Sequence, residues 1–368
     1  MIVMLREQWD LLLEKPWLVP VLLVIGFGLA FVIPEYNLLS VYVQLILMYV
    51  GINIILAVSL NLVNGFMGEF SLAHAGFMAV GAYTSVLLTM KVLPMSDFPL
   101  LFPCAVFAGG LVAAFLGMIV AIPSFKVRGD YLAIITLAFL MIVKSMIENI
   151  DFIGGPRGIS GIMKFTTLPW VFFWTVALVW MIRNFIYSKY GRGVLSIRED
   201  EIASDLMSVN TKQVKLFAFM LSSFCAGIAG ALFAHLLQFI SPRIFDITKS
   251  TDILIMVYLG GIASIGGSIL GATLFTVLLE LLRPSTMAAL LSWLPSLIFD
   301  PLNEHFISHL GVWRMVIMPL ALILVMLYCP RGMMGLREFR GFIPRRDREA
   351  HHYINPQEKD PHGAIDRH

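Results

Sequence analysis

Long apolar stretches alternate with short polar interruptions along most of the chain. Read between charges, prolines and glycines, they predict spans at 17–33, 38–63, 71–90, 98–122, 131–150, 168–187, 216–240 and 313–329. Each is close to the roughly 20 residues that a helix needs to cross a hydrocarbon core. One segment resists this reading. Residues 252–282 carry Asp252 and Glu280 near their ends and Gly260, Gly261, Gly266, Gly267 and Gly271 between them. As a single helix the segment would be about 46 Å long, against a core of roughly 30 Å, and as two passes it is short in both.

The placement of charge arbitrates. Residues 183–215 hold six Lys or Arg and the tail from Arg331 holds eight, so the positive-inside rule puts both in the cytoplasm. An even number of crossings between them requires 252–282 to cross twice or re-enter. Ten passes result, with both termini cytoplasmic. The inside segments then hold 18 of the 26 Lys and Arg, the outside loops seven, and Lys144 lies within a span. Arg6 and Lys15 ahead of the first span invite a signal-peptide reading. That run reaches Pro34 without a small-x-small cleavage site, and its removal would invert everything downstream, so it is read as a retained span. The expected fold is an all-α, polytopic transmembrane helix bundle over 1–336, with a cytoplasmic loop at about 188–215 and a charged, solvated tail over 337–368.

Composition narrows the function. Hydrophobic residues make up 58% of the chain and charged ones 14%, against roughly 45–50% and 25% in soluble domains, which excludes a soluble enzyme. A net charge of +2 is too small for a nucleic-acid binder. Cys104, Cys225 and Cys329 lie in apolar runs and read as core fillers, too few for a disulfide framework. The chain has no G-x-x-x-x-G-K-[ST] loop and no Gly-Lys dipeptide, so any ATP that drives it is hydrolysed by another subunit.

Several side chains are candidates for chemistry. His74 and His235 lie within spans, where two histidines on different helices suit a haem, or each simply bonds to a neighbouring helix. His305 and His309, spaced i, i+4 beside Glu304, read as part of a wet outer loop, and no Cys or His cluster has structural-zinc spacing. Neither a metal nor a cofactor is expected. Lys144 and Glu148 are placed to pair on one helix face, Asp130 to cap the helix that follows it, and Glu69 and Glu280 to anchor span ends. Ala226, Gly227, Gly230 and Ala231, and later Gly267 and Gly271, form small-x-x-x-small faces for close packing within the bundle or against a second membrane subunit.

The loop at 191–210 carries the most information. Residues 199–207 predict a short amphipathic helix with Ile202, Leu206 and Val209 on one side and Glu199, Asp200 and Asp205 mostly elsewhere. Such a helix suits a groove on a soluble partner or the lipid surface, although its acidic residues disfavour anionic lipid.

Seven stretches, taken in order, carry a family resemblance. They are Ser71-Leu-Ala-His-Ala-Gly-Phe with Gly81-Ala-Tyr83, Arg128-Gly-Asp-Tyr131 with Ile135-Thr-Leu137, Gly154-Gly-Pro-Arg-Gly-Ile159, Arg198-Glu-Asp-Glu-Ile-Ala203, Ala226-Gly-Ile-Ala-Gly230, Leu259-Gly-Gly261 with Gly266, and Pro330-Arg-Gly332 with Gly335-Leu336. The chain resembles the LivM-type membrane permease subunits of ABC importers for branched-chain amino acids. The resemblance implies a non-catalytic subunit in a bacterial inner membrane, working by alternating access. Its partners would be a second permease of the same family, two ABC ATPase subunits and a periplasmic substrate-binding protein. It implies that Arg198, Asp200, Glu201, Ile202 and Ala203 form the ATPase-coupling contact. The chain departs from the family's pattern at Ser208, where glycine is usual, at Asp205, where a basic residue is common, and at Glu69, where a neutral residue is more usual.

Two further sites are candidates. The outward loop with Gly154, Gly155 and Gly158 meets a docked binding protein or is a turn that needs glycine. Ser71 and His74 line the translocation path or cap and cross-link helices. Competing functions are a permease for urea, amides or aromatic acids in the same importer class, an ion-coupled secondary transporter with broken helices, and a haem-binding redox subunit.

Overall fold

The computed structural model describes residues 18–36, 38–92, 101–125, 131–283 and 286, with isolated positions at 316, 320, 323, 324, 327 and 332–334. Most of the expected span at 313–329, together with Asp130, Glu304, His305, His309, Cys329 and the tail from 335, lies outside the described residues.

The first helices follow the apolar runs. Helix α1 is Leu18–Glu35 and α2 is Val41–Asn61, which continues through a π-helical turn at Leu62–Phe66. Helix α3, His74–Leu87, continues through a second π turn at Leu88–Val92. Helices α4 (Phe102–Ser124), α5 (Tyr131–Asn149) and α6 (Leu168–Ile186) match their predicted spans to within a few residues. Two short helices follow, α7 (Lys189–Glu199) and α8 (Glu201–Leu206). Helix α9 runs from Thr211 to Leu237, so its first turn takes up the end of the predicted loop. The described chain is predominantly helical, with one addition to the all-α expectation. Ile159–Ser160 (β1) pairs antiparallel with Phe239–Ile240 (β2) and ties the loop after α5 to the end of α9.

The segment at 252–282 is two helices folded back on each other. Helix α10, Ile247–Gly260, ends at Gly261 (φ +137°), and α11, Ile265–Leu281, starts beyond Ala263 (φ +59°). A Cβ on Gly260 would lie 2.0 Å from the Gly267 carbonyl oxygen, and one on Gly271 would lie 2.2 Å from that of Met256. The glycine cluster is therefore the packing face of this hairpin. Helix α10 is about 21 Å long. The chain reaches it through residues 241–246, which include a single 3-10 turn at Pro242–Ile244 and bury Phe245 against Tyr83 and Phe233.

Helix α9 forms the centre of the bundle. A Cβ on Gly230 would lie 1.9 Å from the Met78 carbonyl oxygen, and one on Gly227 would lie 2.5 Å from the Ala113 Cβ. The small-residue faces thus pack α9 against α3 and α4 of this same chain. Cys225 is buried there as expected, but Cys104 is exposed on α4, a correction to its reading as a core filler. A second correction concerns Lys144, whose Nζ pairs across helices with Asp246 at 3.2 Å rather than along α5 with Glu148. Glu280 anchors its span end by pairing with Arg283 at 3.1 Å and accepting from the Tyr42 hydroxyl.

Candidate functional site

Four segments far apart in sequence meet at one end of the bundle: the turn after α2, the α7–α8 loop, the α10–α11 break and residues 332–334. Asn61 organises the break. Its amide donates to the Ser264 carbonyl at 2.9 Å and to Ser268 Oγ at 2.7 Å, while its Oδ1 accepts from the Ala263 N–H at 3.0 Å. Asn61 is fully buried. A Cβ on Gly65 would lie 1.8 Å from Asn61 Oδ1, so the π turn needs glycine beside this amide. On the other side of the break, the Met333 and Met334 N–H groups donate to the Leu259 and Gly260 carbonyls at 3.0 and 3.1 Å. They satisfy the last acceptors of α10, which a helix end leaves open.

The α7–α8 loop is built around charge. The predicted helix over 199–207 is interrupted at Asp200, whose extended backbone ends α7 and whose carboxylate accepts from the Ile202 and Ala203 N–H groups at 2.9 and 3.0 Å. Asp200 is thus the N-cap of α8. Glu201 turns inward, its carboxylate 3.0 Å from Lys215 Nζ, which is also 2.7 Å from the Glu69 carboxylate. The Lys215 side chain is 6% exposed, although the sequence reading counted it as a loop charge. Arg198 packs its methylenes over Gly68, whose added Cβ would lie 3.1 Å away.

Beside these locally bonded carboxylates, α8 and its C-cap present Ile202, Leu206 and Met207, which are 62%, 80% and 80% exposed. Ala203 is exposed beside them, while Val209, expected on the same side, turns half-buried toward the bundle. The three departures from the family pattern are each accommodated. Glu69 pairs with Lys215, Asp205 accepts from Thr211 Oγ1 at 2.7 Å, and Ser208 adopts φ +64°. The last is a left-handed conformation that disfavours a side chain. Ser208→Gly is therefore expected to stabilise the protein by about 1 kcal/mol, measured as a rise in the thermal unfolding midpoint of purified protein. An unchanged or lowered midpoint would contradict it.

Ser71 lies in the non-helical approach to α3 and His74 begins that helix, and both are buried. The Ser71 N–H donates to Asn64 Oδ1 at 3.1 Å, and His74 Nε2 is 3.2 Å from both Ser59 Oγ and Ser222 Oγ. Ser250 Oγ donates to the Leu72 carbonyl at 2.8 Å, joining this approach to the first turn of α10. His235 lies roughly 20 Å further along α9 than Ser222, with Nδ1 3.2 Å from the Met163 carbonyl oxygen. The two histidines therefore hold different helices at different depths, an arrangement unsuited to sharing one haem.

At the opposite end, Gly154, Gly155 and Gly158 have φ values of +93°, +51° and +77°. A Cβ on Gly158 would lie 2.0 Å from the Ile240 carbonyl oxygen. Backbone geometry thus requires these glycines, and the turn they shape exposes Pro156 and Arg157.

Among the described residues, five helices are long and apolar enough to cross a membrane: Val41–Phe66, Phe102–Ser124, Tyr131–Asn149, Leu168–Ile186 and Thr211–Leu237. They define a multi-pass helical membrane protein. Residues 42–327 match the family model described as branched-chain amino acid transport system / permease component, and the chain belongs to that family. It is 35% identical over 267 residues to the high-affinity branched-chain amino acid transport system permease proteins LivM of Escherichia coli K12 and Salmonella typhimurium, over 63% of this chain and 61% of each relative. The chain therefore spans about three-fifths of the length of those relatives. The corresponding LivH protein of Salmonella typhimurium is 22% identical over 77% of this chain and 91% of its own length. No solved structure matches the chain.

Proposed function

We propose that this chain is a membrane-spanning permease subunit of an ATP-driven importer for branched-chain amino acids in a bacterial inner membrane. Its partners are a second permease of the same family, two ABC ATPase subunits that hydrolyse the nucleotide, and a periplasmic binding protein that delivers substrate. The bundle crosses the membrane ten times with both termini in the cytoplasm, and α10 and α11 supply two of the crossings. The end that carries α8 and the α10–α11 break is the cytoplasmic one. The binding protein meets the opposite end near Gly154, Gly155 and Gly158.

The observation that carries this reading is the construction of α8. Glu201 reaches back to Lys215, Asp200 and Asp205 are engaged in local hydrogen bonds, and Ile202, Ala203, Leu206 and Met207 are exposed. An apolar face on a firmly tethered short helix fits a groove on a soluble partner and transmits that partner's movement. Arg198, Asp200 and Glu201 position the helix, while Ile202 and Ala203 make the contact. Closure of the ATPase pair pushes α8, and α9 passes the displacement to the turn after α2 through Lys215 and Glu69.

Ala203→Arg tests this. The variant is expected to express and fold normally, since position 203 is exposed, but to lose co-purification with its ATPase subunits. Retained assembly with transport-coupled ATP turnover would refute the assigned contact.

A further inference from the structure

Charged side chains inside a bilayer are rare and mark substrate or ion pathways. Lys249 and Asp252 lie one turn apart on α10, in electrostatic reach of each other. Lys249 Nζ is 3.5 Å from Asn53 Oδ1, and Asn53 stands halfway along the 26-residue span Val41–Phe66. The Asn53 amide donates to Thr276 Oγ1 at 2.9 Å, which fixes its orientation and leaves Oδ1 facing the ammonium. The Phe233 ring centroid is 5.6 Å from that ammonium and 6.1 Å from the Tyr49 ring.

Within this chain Lys249 and Asp252 are only half-buried. Hydrocarbon solvates neither charge, so this face of α10 borders water or a polar surface. A free amino acid carries a carboxylate and an ammonium on one carbon, next to a side chain. A lysine and an aspartate on one helical turn, beside an amide oxygen and two aromatic rings, complement all of these groups.

We infer that Lys249 and Asp252, with Asn53, form a station in the translocation path that receives the two charged ends of an amino-acid zwitterion, with its apolar side chain against Tyr49 and Phe233. The carboxylate meets the Lys249 ammonium, and the substrate ammonium meets Asp252 and the Asn53 oxygen. This rests on the reading of the chain as an amino-acid importer subunit.

The test uses the assembled importer in proteoliposomes, with radiolabelled L-leucine and its binding protein. Lys249→Met and Asp252→Asn are each expected to lower leucine transported per ATP hydrolysed by about tenfold or more, the loss of one charge-assisted hydrogen bond. Lys249→Arg is expected to retain most of the uptake. In a background with Cys104, Cys225 and Cys329 replaced by alanine, Lys249→Cys is expected to react with a water-soluble, membrane-impermeant methanethiosulfonate, and leucine to slow the reaction.

Uptake by Lys249→Met within twofold of the unaltered complex would overturn the inference. So would a cysteine at 249 that stays unreactive both with and without ATP, because this face would then be packed against the second permease. Absence of ATP-dependent leucine uptake by the unaltered importer would instead sink the importer reading itself, so the two failures are distinguishable.

Discussion

Asn61→Ala is expected to destabilise the protein by about 3–5 kcal/mol, a larger effect than that of any other single polar side chain at the α10–α11 break. The half-buried Ala263 N–H would be left without its acceptor, and the buried Ser264 carbonyl and Ser268 hydroxyl would each lose a donor. Leaving the Ala263 N–H unpaired costs about 1–3 kcal/mol, and each of the two other lost hydrogen bonds about 1 kcal/mol. Asn61→Asp restores the acceptor but turns a second oxygen toward the Ser264 carbonyl, so it is expected to recover little. Ser268→Ala removes a single partner and is expected to cost about 1 kcal/mol. Thermal unfolding in detergent, followed by size-exclusion chromatography, ranks the three variants. Midpoints for Asn61→Ala and Ser268→Ala that agree would show that the amide does not hold the break.

Lys215→Met is the second large effect. It leaves the Glu69 and Glu201 carboxylates facing each other without the cation that both now approach within 3.0 Å. Removing one member of a buried ion pair costs about 3–5 kcal/mol. The glutamate side chains are 21% and 37% exposed, so water screens them and the expected loss falls to about 2–3 kcal/mol. The triple variant with Glu69→Gln and Glu201→Gln is expected to regain most of that stability, because the repulsion goes with the charge. A cycle of single and combined variants measures the coupling directly. If the triple variant were no more stable than Lys215→Met, the loss would come from packing of the methylene stem, not from charge. Recovery of stability is not expected to restore transport, since the neutral contact no longer tethers α8.

The spans were readable because lipid imposes a run of apolar residues that needs no tertiary partner to explain it. Helix α5 begins and α6 nearly ends where the apolar pattern places them. What was not readable depends on residues distant in sequence. The glycines at 260–271 signalled an interruption, but its fold-back is held by Asn61, some 200 positions earlier. The helical loop before α9 was visible from its apolar spacing, whereas its interruption at Asp200 follows from a capping preference that competes with helix continuation. Lys215 closes the charged loop at 183–215 in the apolar pattern and Lys249 falls just ahead of the segment at 252–282, whereas their places in the bundle depend on Glu69 and Asn53. One signal was present for the first of these. A carboxylate at position 69, where the family usually has a neutral group, called for a compensating cation.

The contact between 332–334 and the end of α10 bears on how the chain is made. The carbonyls of Leu259 and Gly260 find their donors only when Met333 and Met334 have been synthesised. At roughly 5–20 residues per second, that is several seconds after α10 itself has left the ribosome. During this interval the helical hairpin is already within the translocon or the bilayer with its sharpest bend unsealed. Ribosome-bound intermediates halted before Met333 should therefore be cut by protease at that bend, and the full-length chain should resist.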